Sequence, residues 1–258
     1  MLRFKNLGSG STGNATVVEA GSGTHRTRLL IDCGLGVRQL DTRLGAAGLS
    51  VRQIDGIFIT HEHSDHIGSA LQVALRHRIP VWMSQGTHAG TGEADFDGLL
   101  RLASDATAIE LGDLQIMPFT VPHDAREPLQ LSCTDGASRL GVLTDLGHAT
   151  PHVLSHLQAC HALLLECNHD TDLLAASRYP PFLRKRVGGP YGHLANAAAA
   201  ELARAVRHPG LRHVTAAHLS QENNRPELVR AALSAALCCA ESEIGVADPR
   251  EGSAWADV

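Results

Sequence analysis

Three histidines and two acidic residues fall within six positions of the chain, in the segment HEHSDH, directly after an apolar run. Alternate residues of an extended segment share a face, so His61 and His63 point the same way. Asp65 and His66 follow at the turn into a helix that we expect to begin near Ile67. Imidazole nitrogens and carboxylate oxygens are the donors that zinc and similar ions prefer. The segment therefore predicts a metal site, and a surface loop that is histidine-rich by chance is the less favoured interpretation.

More residues of the same donor types stand just past other apolar runs. They are His123 after FTVP, Asp145 after GVLT and His218 after VTAA. Each one alone is weak evidence, since isolated histidines near strand ends are mostly structural. Together they fit loops that gather at one edge of a sheet, where a fold can assemble a site.

The apolar runs are expected to be strands, and amphipathic segments between them are expected to be helices. The predicted strands are 14–20, 27–34, 54–60, 79–84, 114–121, 139–145, 162–167 and 212–218. The predicted helices are 37–48, 67–77, 194–208 and 225–240. This alternation predicts an α/β layered domain, and the polar tail after Gly245 is expected to fray.

Composition limits the classes of protein that the chain can belong to. Its 258 residues carry a net charge of −5, so a contact with nucleic acid requires a local basic patch. Six cysteines without a CxxC pair, and no apolar run near 18 residues, predict a cytoplasmic protein with reduced thiols that does not cross a membrane. Aromatic residues make up 3% of the chain. No platform for base stacking is visible among them, and we expect little sequence preference.

The order HxHxDH, His, Asp, His resembles the metallo-β-lactamase fold superfamily over nearly the whole chain. The resemblance implies one domain, residues 1–258, folded as a four-layer αββα sandwich around two divalent ions, with Zn²⁺ favoured and Mn²⁺ as the alternative. It implies that Asp145 bridges the ions and that Asp32, in LLIDCG, supports the site from behind. By match, the ligands of one ion are His61, His63 and His123, and those of the other are Asp65, His66 and His218.

Four stretches resemble the YycJ (WalJ) group within this superfamily, which is associated with exonuclease activity on DNA. The stretches are LGSGSTGN at 7–14, VPHDAREP at 121–128, ECNHD at 166–170 and GHLAN…HLSQENN across 192–224. The resemblance implies hydrolysis of phosphodiester bonds, in which a hydroxide held between two divalent ions is the nucleophile. Asp65 and His193 are the residues that we expect to act in catalysis.

Three further features could contact a nucleic acid. The loop GSGSTGN could cradle a phosphate through Ser9, Ser11 and Asn14, although a Gly/Ser loop is often just a turn. His193 stands at a loop-to-helix junction, where it could contact a phosphate or protonate the leaving group, and His169 could line the same cleft.

The densest basic patch is the segment RYPPFLRKR just before His193. Its residues Arg184, Lys185 and Arg186 are either a solvated run of charge or a grip on the DNA backbone. A wide cleft lined by them favours a nuclease. A closed apolar pocket favours the alternative, a hydrolase of a small ester, lactone, thioester or cyclic phosphodiester. A metal-binding protein without catalysis is the third possibility, and a homodimer is possible for each.

Overall fold

The computed structural model describes residues 1–258, which form two seven-stranded mixed sheets. The first sheet has the order β14-β1-β2-β3-β4-β5-β6 and the second has the order β13-β12-β11-β10-β9-β8-β7. The strands of the first sheet are β1 (Leu2–Gly8), β2 (Ala15–Ala20), β3 (Thr27–Ile31), β4 (Gly56–Phe58), β5 (Val81–Met83), β6 (Leu100–Leu102) and β14 (Ala256–Asp257). The strands of the second sheet are β7 (Ile109–Leu111), β8 (Leu114–Thr120), β9 (Leu129–Thr134), β10 (Arg139–Leu143), β11 (Ala162–Glu166), β12 (His213–Ala217) and β13 (Ile244–Val246).

Each sheet has an antiparallel half and a parallel half. In the first sheet, β1, β2 and β3 pair antiparallel, and β3 to β6 pair parallel. In the second sheet, β7 to β10 pair antiparallel, and β10 to β13 pair parallel. It follows that β1, β3 and β4 end at one edge of the first sheet, and that β8, β10, β11 and β12 end at one edge of the second.

The two sheets pack face to face, and strand β11 shows how the sequence produces this packing. Its residues are all buried. Leu164 lies in the core between the sheets, together with Phe4 and Phe58 of the first sheet. Leu163 and Leu165 point the other way, into the core beneath the outer helices. Successive side chains alternate between the faces of a strand, so an apolar run with no polar alternation requires a cover on both sides.

Helices cover the outer faces of both sheets and complete four layers. Leu40 and Val73 belong to a core with Val17 on the first sheet, and Leu202 and Leu233 belong to a core with strand β12 on the second. The predicted four-layer αββα fold is confirmed. The helices are α1 (Val37–Ala46), α2 (Ser64–Ile67), α3 (Ala70–His77), α4 (Gln85–Gly90), α5 (Pro151–Leu157), α6 (Thr171–Ala176), α7 (Pro181–Val187), α8 (Asn196–Val206) and α9 (Pro226–Leu237). None of them is both long and apolar enough to cross a bilayer.

The helix predicted from Ile67 is wrong in its start and in its continuity. Helix α2 begins at Ser64, so Asp65 and His66 lie on its first turn rather than before it. The helix then breaks at Gly68, whose φ is 29° and where a Cβ would stand 2.7 Å from the Cys33 carbonyl oxygen. This close approach requires glycine. It packs the segment from His61 to Gly68 against the residues that follow β3.

The tail after Gly245 makes contacts that run against the expectation that it frays. Strand β14 pairs with β1, and Asp248 and Gly252 close a small turn. The Trp255 indole donates to the Ala47 carbonyl, and the side chain of Val258 is buried between the sheets. The polar composition of the tail concealed these contacts, because backbone pairing at a sheet edge does not depend on side-chain polarity.

Candidate metal centre

The predicted donors meet where the carboxyl-end edges of the two sheets face each other. From the first sheet, Asp32 follows β3 and His61 follows β4. From the second sheet, His123, Asp145 and His218 follow β8, β10 and β12. The structure thus brings together every residue that the sequence predicts as a metal ligand. Four overlapping groups have donor atoms that all lie within 4.8 Å of one another: His61/His63/His123, Asp65/His66/His218, His61/His66/Asp145 and Asp145/Glu166/His193/His218.

The first group consists of three histidines with their nitrogens turned towards one another. Nδ1 of His63 lies 3.0 Å from Nε2 of His61 and 3.4 Å from Nε2 of His123. The imidazoles of His61 and His123 are buried, and that of His63 is partly exposed. Nε2 of His63 faces outward and lies 3.9 Å from Oδ1 of Asp124. His63 therefore presents Nδ1 to the centre, whereas the other two present Nε2.

The second group lies beside the first, with Asp145 between them. Oδ2 of Asp65 lies 3.7 Å from Nε2 of His66 and 3.7 Å from Nε2 of His218. Oδ2 of Asp145 lies 3.0 Å from Nε2 of His66, and its Oδ1 lies 3.8 Å from Nε2 of His123. Asp145 is thus the one carboxylate with an oxygen near each group, which is the placement that a bridging ligand requires.

Hydrogen bonds on the far side of three imidazoles fix which nitrogen is free. Nδ1 of His66 donates to Oδ2 of Asp32 at 2.8 Å, and Nδ1 of His123 donates to the Gly192 carbonyl at 3.0 Å. Nδ1 of His218 donates to the Thr144 carbonyl at 2.8 Å. In the neutral imidazole that binds a metal, each bond places the proton on Nδ1 and leaves the lone pair of Nε2 facing the centre.

His61 is held by the same principle through a shared hydroxyl. The Thr60 hydroxyl donates to Oδ1 of Asp32 at 2.9 Å and accepts from Nδ1 of His61 at 3.0 Å. The Thr60 amide donates to the same carboxylate oxygen at 2.9 Å. Asp32 thus contacts both His61, through Thr60, and His66 from the side away from the centre.

The donor set is suited to binding cations, and the environment of Asp145 supports this. Its Oδ2 is fully buried and accepts no hydrogen bond, although Nε2 of His66 lies 3.0 Å away. When His66 is neutral, with its one proton on Nδ1 towards Asp32, that contact places two lone pairs opposite each other. A buried carboxylate without a donor is costly, and a cation between the two atoms removes this cost.

The local electrostatics favour positive charge among the carboxylates. Burial opposes a charged imidazole, but Asp145 and Asp32 outweigh it and raise the pKa of His66 to about 10. Burial and the neighbouring imidazoles lower the pKa of His61 well below its usual range. Burial opposes the charge of Asp145, but His218 and His66 hold the pKa of that carboxyl well below its usual range. The buried carboxylates of the centre therefore stabilise positive charge, which in the metal-free state is a proton on His66.

A buried glutamate that the sequence analysis missed lies next to the centre. Oε1 of Glu166 accepts from Nδ1 of His193 at 2.7 Å, and Oε2 accepts from the amides of Leu146 and Leu194. Burial opposes a charged His193, but Glu166 and then Asp145 outweigh it and raise the pKa of that imidazole. The signal in the sequence was an acidic residue at the end of the apolar run ALLL.

The predicted phosphate cradle is only partly open to a ligand. The amide of Gly10 donates to Oδ1 of Asn14, and the amide of Asn14 donates to the Asp65 carbonyl. The Ser9 hydroxyl accepts from the His218 amide at 2.6 Å. These groups position the ligand segments, and Ser11 is the exposed one among the residues predicted to hold a phosphate.

The basic segment forms helix α7 beside the centre, and its charged groups differ in their partners. Nε of Arg186 donates to Oδ2 of Asp124 at 2.5 Å, and Nη1 of Arg184 donates to the Ala175 carbonyl at 2.8 Å. Arg184 and Lys185 line a pocket of about 520 Å³ together with the buried His169.

A separate cavity of about 590 Å³, lined by residues that include Arg207 and Ile244, lies at the opposite end of β12 from His218.

The chain belongs to the metallo-β-lactamase superfamily. The family described as "Beta-lactamase superfamily domain" matches residues 27–218, which contain every predicted metal ligand. A solved structure similar to this chain is the metallo-β-lactamase fold protein YhfI from Bacillus subtilis. Its TM-score is 0.76 at 14% identity, and all of both chains is covered.

Within the superfamily, the chain is similar over nearly its full length to proteins of the YycJ/WalJ group, as the sequence motifs indicated. It is 32% identical to the exodeoxyribonuclease YycJ of Bacillus anthracis, covering 92% of this chain and 89% of that protein. It is 28% identical to the exodeoxyribonuclease WalJ of Streptococcus pneumoniae, covering 95% of this chain and 91% of that protein. The chain is accordingly a hydrolase of the metallo-β-lactamase fold.

Proposed function

We propose that the chain is a two-metal phosphodiesterase that removes nucleotides from DNA ends. The observation that carries the proposal is the placement of Asp145, whose orphaned buried oxygen lies between two histidine groups. The full-length similarity to two exodeoxyribonucleases supports DNA as the substrate. A cytoplasmic location is consistent with such a substrate.

The residues assigned to the ions follow the two groups. His61, His63 and His123 would hold one ion, and Asp65, His66 and His218 would hold the other. Asp145 would bridge them. Such ions, Zn²⁺ by preference for this donor set or Mn²⁺, supply water activation at neutral pH and Lewis-acid polarisation of the phosphate.

The pair formed by Glu166 and His193 is assigned to the leaving group. Glu166 accepts from Nδ1 of His193, so Nε2 is free to face a substrate, and the raised pKa of His193 favours the protonated imidazole. A protonated imidazole next to the centre can give a proton to the departing 3′ or 5′ oxygen. Asp65 is partly exposed beside the centre, where its carboxylate can orient the attacking water.

The charged surface next to the centre supports a polyanionic substrate. Arg184 and Lys185 line a pocket beside His169, and Arg186 is tied to Asp124, whose Oδ1 lies 3.4 Å from Nε2 of His123. Positive groups along the approach to a hydrolytic centre neutralise phosphates on either side of the scissile bond. A small neutral ester gains nothing from them.

A hydrolysis assay on metal-reconstituted protein tests this function. End-labelled DNA, bis-p-nitrophenyl phosphate and a panel of lactones would be compared, with Asp65→Ala/His66→Ala as the inactive control. We expect stepwise loss of nucleotides from a DNA end by the wild type and none by the control. Cleavage of the small esters alone would contradict the nuclease function and assign the chain to the small-molecule hydrolases of the fold.

A further inference from the structure

Two aromatic side chains are exposed on the segment that leads to His193. Aromatic residues are scarce in the chain, with five Phe, two Tyr and two Trp. Phe182 on helix α7 is 74% exposed and Tyr191, just before Gly192, is 61% exposed. The other aromatic side chains are buried or partly buried. Exposed rings are costly in water, so two of them within ten residues indicate a surface that something covers.

The Phe182 ring shares a helix face with two cations. Residues three and four positions apart are neighbours on a helix surface, so Lys185 and Arg186 stand beside Phe182. Arg186 is paired with Asp124, which lies against His123 of the metal centre. This face of α7 therefore runs from the exposed ring to the site of hydrolysis.

Tyr191 is held next to the same helix end by backbone hydrogen bonds. The His193 amide donates to the Val187 carbonyl at 2.8 Å, so the loop folds back on the end of α7. Gly192 accepts the hydrogen bond that orients His123. Tyr191 is thus one residue away from a group that positions the metal centre, although its own ring faces solvent.

We propose that Phe182 and Tyr191 form a platform on which the unpaired bases of a DNA end stack, so that the enzyme takes a single-stranded end. The proposal rests on the function proposed above and names its preferred substrate. Base–aromatic stacking next to a cationic groove is how proteins hold single strands, since every base has a π-face. The exposure of the two rings differs from the picture drawn from composition, in which no platform for base stacking was visible.

The charge of the surface around the two rings favours DNA over a second copy of this chain as their ligand. Lys185 and Arg186 stand beside Phe182 on α7, Arg184 belongs to the same helix, and Arg178 is nearby in the chain and exposed. A second copy of this chain would bring the same cations against them, whereas a strand of phosphates complements them. The exposed rings take the bases and the cations take the phosphates of one and the same ligand.

A binding measurement on the full chain tests the platform without hydrolysis. The probe is a single-stranded oligonucleotide that carries 2-aminopurine near one end, titrated in the presence of chelator, with stacking read as quenching of its fluorescence. We expect Phe182→Ala/Tyr191→Ala to weaken binding at least about fivefold for each ring and to abolish the quenching. Phe182→Trp, which keeps an aromatic ring at this position, should retain both the DNA affinity and the quenching. Leu102→Ala, which removes an exposed apolar side chain at a distant strand, is the matched control and behaves as wild type.

The outcomes separate this proposal from the function on which it rests. If wild type degrades DNA but the double variant binds and quenches like wild type, the platform is wrong and the nuclease function stands. If wild type cleaves no nucleic acid while it hydrolyses bis-p-nitrophenyl phosphate, the nuclease function itself is wrong. If the double variant converts a dimer to a monomer with unchanged DNA affinity, the rings cover a second copy and the platform is wrong. Both rings are exposed, so their removal opens no cavity.

Discussion

The two sheets contribute to the metal centre in different ways. The first sheet supplies four of the proposed ligands from one turn of chain, between His61 and His66, directly after β4. The second sheet supplies three from three separate strand ends, at His123, Asp145 and His218. The first arrangement is local and depends on a short loop and a helix turn. The second depends on parallel strands that bring residues distant in the chain to one edge.

We call the contribution of the first sheet, with Asp32, the local half of the centre, and the contribution of the second sheet the dispersed half. The difference between them indicates different tasks. The local half contains the support residue Asp32, which holds two imidazoles through Thr60 and Nδ1 of His66. The dispersed half contains Asp145, which has an oxygen near each histidine group, and Glu166, which accepts a hydrogen bond from His193. Substitutions in the dispersed half are therefore expected to affect the chemistry most, and those in the local half to affect metal affinity.

The largest effect is expected at Asp145. Asp145→Asn keeps the shape of the side chain but removes the charge that both groups share. It should lower kcat/KM on every substrate by about a thousandfold or more, since such ions contribute several kcal/mol to catalysis. Steady-state hydrolysis of DNA and of bis-p-nitrophenyl phosphate checks this, with the exposed Asp41→Asn as the control. Retention of activity would exclude the bridging role.

The next effect is expected at Glu166, and it should depend on the leaving group. Glu166→Gln removes the carboxylate charge that raises the pKa of His193, so kcat on DNA should fall about a hundredfold. The fall on bis-p-nitrophenyl phosphate should be much smaller, because nitrophenolate leaves without a proton. In wild type, activity on DNA should decline as the pH rises through the raised pKa of His193. Equal losses on both substrates would assign Glu166 a structural role.

The local half should respond in affinity rather than in chemistry. Asp32→Asn weakens the hold on Nδ1 of His66 and on the Thr60 hydroxyl, which act behind the ligands. Groups in this position usually contribute about 10- to 100-fold to metal affinity. A competition titration against a chromophoric chelator measures the loss, and activity at saturating metal should largely return. A variant that stays inactive at saturating metal would contradict this division of tasks.

The smallest effect is a pH-dependent stabilisation that involves both halves. The pKa of His66 in the metal-free centre is raised to about 10, so this group stabilises the metal-free fold below its unfolded pKa of 6.5 and ceases to do so as the pH rises through about 10. Metal binding requires the neutral imidazole, so protons compete with the ion. Added Zn²⁺ should therefore raise the melting temperature by about 5 °C or more near pH 8.5 and by less near pH 6. A larger shift near pH 6 would contradict this linkage.

The same difference explains how much the sequence could predict. His61, His63, Asp65 and His66 were recognisable because their spacing alone brings them together. His123, Asp145 and His218 were found from their position after apolar runs, and the motif order gave their grouping. The layered fold followed from the alternation of apolar runs, and strand β11 carried the clearest pattern.

What the sequence could not show depends on contacts between distant segments. Glu166 was overlooked because one buried acid becomes informative only when His193 stands beside it. Strand β9 lies in the polar-containing segment LQLSCT, and pairing on both sides rather than composition determines it. The exposure of Phe182 depends on how α7 lies on the surface, and nothing in its local pattern indicates that.

The central claim is that the two halves form one centre for two ions, and the metal content of the protein tests it most directly. Wild type and Asp65→Ala/His66→Ala would be saturated with Zn²⁺, freed of excess ion and measured by elemental analysis. The account predicts two ions per chain in wild type and about one in the variant, since its first group remains intact. One ion or none in wild type, or two in the variant, would contradict it.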